Sequence, residues 1–209
     1  MYCPAAFRED RAEVLHAAIR AYPLATLVTH GAAGLTANLI PFTLVAPPSG
    51  PVLLRAHMAR TNPQVEELRA GADALVIFQG PQAYVTPAWY PAKREHGKVV
   101  PTWNYIAVQA RGRASVTDDA AWLRAQIDQL TDEQERGRAV PWAVDDAPAA
   151  FIAGQLRGIS GIEVPVERLE GKWKASQNQS QAARSAVAEG LREGETPSAS
   201  MADIVAAAT

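Results

Sequence analysis

The chain has 209 residues, 48% hydrophobic and 20% charged, with a formal net charge of −2. This composition excludes a disordered, fibrous or bilayer-spanning chain, and at this length roughly 70% of the unfolded surface can be buried, so a core needs no metals or disulfides. The single cysteine, Cys3, excludes an intramolecular disulfide; with no basic-apolar leader pattern, a soluble protein of the reducing cytoplasm is expected.

Asp10 and Glu13 have capping-box spacing, and Val14, Leu15, Ala18, Ile19 and Tyr22 recur at helical intervals, so a first helix is expected over about 10–21, stopped by Pro23. Short apolar runs then follow at 24–29, 35–45, 52–57 and 74–78, separated by glycines and prolines, and these read as strands joined by turns. Between the third and fourth, Asn62-Pro63 followed by Gln64 to Leu68 predicts a short capped helix. From 105 to 116 small or apolar residues alternate with Gln109, Arg111, Arg113 and Ser115, the pattern of a half-buried strand. Helical spacing returns at 118–130 and 148–157, a last strand is expected at 159–169, and an amphipathic helix at 181–191. Beyond Gly194 the Ala/Ser/Thr-rich composition offers little to bury. Six or seven strands with peripheral helices make an α+β barrel or strongly curved sheet, one domain over 1–192 with a flexible tail at 193–209.

Three constellations are candidates for chemistry. His57, Arg60, Thr61 and Asn62 sit where a strand enters a helix N-terminus, which suits a phosphate; simple capping with a solvent-facing Arg60 fits the same residues. Between Pro81 and Tyr105, Tyr84, Trp89, Tyr90, Trp103 and Tyr105 share twenty-five residues with four prolines, a rigid irregular connection that is either a ligand pocket or an interface. Lys172, Lys174, Ser176, Gln177 and Asn178 offer cations and uncharged hydrogen-bonding groups for a phosphate or a heterocycle edge, or form a solvated turn before the last helix. The four histidines and one cysteine lack metal-ligand spacing, and neither a P-loop, a dinucleotide fingerprint nor a Gly-x-Ser-x-Gly elbow occurs, so no metal site and no side-chain catalyst is assigned. The charge balance gives no global drive towards nucleic acid.

The strings Met1-Tyr-Cys-Pro4, Ala37-Asn-Leu-Ile-Pro41-Phe42, His57-Met-Ala-Arg-Thr-Asn-Pro63, Phe78-Gln-Gly-Pro81, Trp89-Tyr90, Val100-Pro-Thr-Trp-Asn-Tyr105, Pro141-Trp142 and Glu170-Gly-Lys to Ser176-Gln-Asn178 resemble the PaiB family, in order, to about residue 192. That resemblance implies an FMN-binding split β-barrel similar to that of pyridoxamine phosphate oxidases, a homodimer with FMN at the interface, and negative transcriptional regulation. It implies that His57, Arg60, Thr61 and Asn62 hold the phosphate end, that Asn38 and Leu39 lie near the ring through backbone contacts, and that Trp103, Asn104, Lys174, Ser176, Gln177 and Asn178 complete the pocket, from either chain of the dimer. Where Leu39 stands, relatives often carry a histidine, and a leucine neither donates to a ring nor shuttles a proton. Direct DNA contact has little support in the sequence, which shows no helix-turn-helix and no basic recognition face. The alternative is a flavin-dependent oxidoreductase that uses NAD(P)H on a small molecule.

Overall fold

In a computed structural model the described residues are 1–32, 34–193 and 198–208. They form an α+β fold whose chain divides into two compact units: Met1–Ala18, Gln79–Val108 and Glu170–Thr209 make the first, and Ile19–Phe78 with Gln109–Leu169 the second. Helices and strands follow in the order β1 (Arg8–Glu9), α1 (Ala12–Ala21), β2 (Leu24–Gly31), β3 (Gly34–Pro41), β4 (Thr43–Val45), β5 (Leu53–Ala59), α2 (Pro63–Arg69), β6 (Asp73–Val85), α3 (Ala92–Glu95), β7 (Thr102–Arg113), β8 (Ser115–Thr117), α4 (Ala120–Glu135), α5 (Ala149–Leu156), β9 (Ile159–Pro165), β10 (Arg168–Lys174), α6 (Gln181–Glu193) and α7 (Ala199–Ala207). The strands beyond the expected six or seven are the very short β1, β4 and β8, which carry too few residues to show a period. Among the described residues no helix is long and apolar enough to cross a membrane.

In the second unit β2 and β3 form an antiparallel hairpin with Thr26 opposite Leu39 and Val28 opposite Ala37, and β2 also pairs with the start of β6, Thr26 opposite Ile77. A separate antiparallel sheet runs β4-β5-β9-β8. Leu27, Leu54, Ala56, Val76, Phe78, Ile162 and Val164 bury one residue in two along these strands, and Phe42 meets Phe78 edge-on at 6.0 Å. The run expected at 35–45 is interrupted at Phe42, which falls opposite Pro23 in the β2–β3 register: its N–H donates to Pro23 O (2.9 Å), but Pro23 has no N–H to return the bond, and the ladder ends there.

In the first unit the sheet order is β1, β10, then the 102–108 part of β7 and the 79–85 part of β6. Helices α6 and α7 close one face: Val187, Leu191, Met201, Ala202 and Val205 join Val85, Tyr90 and Ala175 in one buried cluster. Gly190 lies against the Trp89 indole, where a Cβ would come within 2.4 Å of the ring.

Several expectations are corrected. Helix α1 starts at Ala12 without the Asp10–Glu13 box, because the Glu9 carboxylate accepts the Arg11 N–H (2.9 Å) and turns the chain there. Gly80-Pro81 does not end a strand: β6 continues through it, burying Ala74, Val76 and Phe78 before it and Ala83 and Val85 after it. The expected single strand at 159–169 is two, and Glu170 to Lys174 belongs to β10, where Gly171 lets Leu15 approach to within 2.3 Å of a Cβ position. Residues 199–207 are a helix with Met201, Ala202 and Val205 buried, because those residues lie on one helical face; the rest of the expected flexible tail, 194–197 and 209, lies outside the described residues.

Candidate functional site

In the second unit, β5 alternates faces, and its core side holds Leu54, Ala56 and Met58. His57 therefore faces the other way, and its Nδ1 donates to Gln126 Oε1 of α4 at 2.6 Å. At the end of the strand Arg60 donates to Ile159 O (3.1 Å) and pairs with Asp118 at 3.5 Å, its side chain still 41% exposed. The Ser160 hydroxyl (2.6 Å), the Arg69 guanidinium (2.6 Å) and Arg60 together hold the Asp118 carboxyl below its ordinary range. Thr61 is exposed, and Asn62 caps α2 by accepting the Gln64 N–H (3.0 Å). Strand, cap and proline make this junction as expected, while much of its polar chemistry is spent on the chain's own groups.

Asn38 and Leu39 are neighbours on β3 and so face opposite ways. Asn38 donates to Gln64 Oε1 (2.9 Å), joining a network in which fully buried Gln64 donates to Thr29 Oγ1 (2.9 Å) and Leu27 O (3.2 Å), while Glu67 accepts from Thr29 (2.5 Å) and Thr36 (2.9 Å). This network seats α2 on the hairpin, and its members Gln64, Glu67 and Thr29 escape sequence reasoning because polar residues on a short helix read as solvated. Leu39 is 64% exposed on the opposite face, in a row with Leu35 and Ala37.

The first unit holds a cavity of about 600 Å³ whose lining includes Tyr90, Thr102, Asn104, Lys174, Ser176 and Asn178. Four of the six residues expected in this part of the chain converge there. Trp103 does not: it alternates with Asn104, is 48% exposed, meets Tyr84 edge-on at 5.8 Å and donates its indole N–H to Gln82. Gln177 is spent on the turn, accepting from Ala175 N (2.8 Å) and donating to Trp173 O (2.5 Å). Asn104 is 1% exposed; its Nδ2 donates to Ser176 Oγ (2.9 Å), and its Oδ1 is buried with no partner. Ser176 holds φ 64°, in the left-handed region that non-glycine residues rarely adopt, and it is bonded to Tyr90, whose hydroxyl pKa is raised by burial in spite of that bond. Lys174 Nζ donates to Thr102 Oγ1 (2.6 Å) and Trp103 O (2.8 Å).

A buried acceptor without a donor costs about 1–3 kcal/mol, and a ligand that brought an N–H or O–H to Asn104 Oδ1 would relieve that cost. With lysine and amide donors beside it, the lining fits the polar edge of a heterocycle such as a flavin ring. Among the described residues no group of three or more His, Cys, Asp or Glu side chains is placed to hold a metal ion.

Residues 1–168 match a family described as "Putative FMN-binding domain". An uncharacterised protein of Emericella nidulans is 34% identical over 226 residues, covering 91% of this chain and 90% of its own. "Protease synthase and sporulation protein PAI 2" of Bacillus subtilis is 31% identical over 199 residues, covering 95% of this chain and 93% of its own. The solved FAD and heme binding protein from Mycobacterium smegmatis shares the fold, with a TM-score of 0.59 over 80% of this chain and 73% of that one, at 20% identity.

Proposed function

Because the chain belongs to the PaiB-like family of FMN-binding split-barrel proteins, whose cofactor is a flavin, we propose that it is a flavin-responsive negative regulator of transcription acting as a homodimer. The observation that carries the flavin part is the cavity lined by Asn104, Lys174, Ser176 and Asn178, with its unpaired buried acceptor. Asn104, Ser176 and Lys174 hold the polar edge of the ring. Arg60, with Thr61 and Asn62 at the head of α2, is a candidate phosphate-binding group of the second unit in its own right. Bound flavin supplies reversible electron transfer, so its redox state is a signal the protein can pass on. The regulatory part is supported by the Bacillus relative, whose name, "Protease synthase and sporulation protein PAI 2", links it to sporulation.

The homodimer is supported by an open apolar sheet face in the second unit. Leu24 on β2, Leu35 and Leu39 on β3 are all exposed, flanked by Val28, Ala37 and Ile77 through the register of the sheet. A monomer does not gain from leaving such a row in water, and a second copy covers it. The regulator works on DNA or on another protein according to the state of its flavin; a formal charge of −2 favours a protein target over a bare operator.

Purified protein incubated with FMN and passed through a gel-filtration column is expected to emerge with flavin absorbance in a dimer-sized peak. Colourless protein would remove the flavin reading. Turnover of the bound flavin by NAD(P)H with a small-molecule acceptor would make the protein an oxidoreductase, and a salt-dependent gel shift would place it directly on DNA.

Arg60→Ala is expected to weaken FMN binding by about 1.5–3 kcal/mol, the worth of a hydrogen bond to a charged group. It should leave the melting temperature nearly unchanged, because the Asp118 pair is half-exposed. Unaltered affinity in a flavin titration would take Arg60 out of the site.

A further inference from the structure

The orientation of the Asn104 carboxamide is fixed from behind. Tyr90 is buried, and its hydroxyl is bonded to Ser176. Ser176 Oγ accepts from Asn104 Nδ2 at 2.9 Å. Oδ1 is therefore the end left without a partner. Ser176 is held in place by its left-handed backbone and by a turn that Gln177 closes on both sides.

The neighbouring groups are donors. Lys174 has three N–H bonds, and Thr102 and Trp103 O take two of them. Asn178 presents an exposed amide to the same cavity. One fixed acceptor with donors near it is complementary to an imide edge, in which an N–H lies between two carbonyl groups. Resting on the flavin reading above, we propose that Asn104 is the specificity-determining residue of the cavity, its Oδ1 accepting the imide N–H of the flavin's pyrimidine ring. The Tyr90–Ser176–Asn104 chain is what keeps that oxygen pointed at the ligand.

The test compares FMN with its N3-methyl derivative, which keeps the ring, the tail and the phosphate but has no imide N–H. Full-length wild-type protein is titrated with each, following quenching of flavin fluorescence. The methylated compound is expected to bind ~10- to 100-fold more weakly, the cost of leaving one buried acceptor unpaired. Asn104→Ala should bind the two flavins with comparable affinity, and because the wild-type comparison stands alone, a variant that failed to fold would not rescue the idea. Equal affinities in the wild type overturn the role of Asn104 while leaving flavin binding intact. Failure of FMN itself to bind overturns the flavin reading and this inference with it.

Discussion

Gly112→Ala is expected to destabilise the protein by about 3 kcal/mol, lowering the melting temperature by about 6–12 °C. Gly112 is buried on β7, and a Cβ built there would lie 2.0 Å from Pro165 O and 3.1 Å from Val164 Cγ1. The first of these is a backbone atom, so no rotamer change relieves the clash; β7 or the end of β9 must move. The neighbouring backbone is already committed, since Glu167 N–H bonds to Arg111 O at 2.9 Å. Gly137→Ala is the control: no atom lies within 4 Å of its Cβ position, so that change should be neutral or slightly stabilising through the unfolded chain. A Gly112→Ala protein that melts with the wild type would mean that these strands do not approach one another as described.

The same alternation that buries Gly112 made much of β7 readable. Small and apolar residues at every second position from 106 to 114 have no other economical explanation than a half-buried strand. Extending that period back by one step marks Asn104 as a polar residue on the core side, and it also separates it from Trp103. Adjacent strand side chains point to opposite faces, so the aromatic neighbour belonged on the other face from the start. The β5–α2 junction was legible for a different reason: Asn-Pro at the head of a helix names both the cap and the first turn.

What was hidden depended on partners distant in sequence. Gly171 and Lys172 look like a turn in isolation; their place in β10 comes from pairing with β1 and from Leu15 packing over the glycine. Gly80-Pro81 looks like a break and instead lies within one long strand. Ser176 gave no local sign of a positive φ, since residues other than glycine adopt it only when their surroundings hold them there. Here the surroundings are Asn104 and Tyr90, 72 and 86 positions away.

Met201→Asp is expected to remove about 3–5 kcal/mol of stability and to lower FMN retention with it. Met201 is fully buried between α6 and α7 in the cluster that also contains Tyr90 and Ala175. No cationic side chain belongs to that cluster, so the charge is either desolvated at high cost or drags α7 away from the sheet. Among the described residues the helices are otherwise joined by Ser198 N–H to Leu191 O (2.7 Å) and by an exposed Arg192–Asp203 pair (2.8 Å), too little to hold α7 once its apolar face is lost. Because Ala175 precedes the Ser176 turn and Tyr90 is bonded to Ser176, loosening the cluster also releases the group that orients Asn104. Met201→Leu, which keeps volume and polarity, should preserve both stability and binding. Thermal melts and FMN titrations on the two variants decide the matter: if the aspartate variant melts and binds like the wild type, residues 199–207 are a loose tail after all, and the cavity stands without their support.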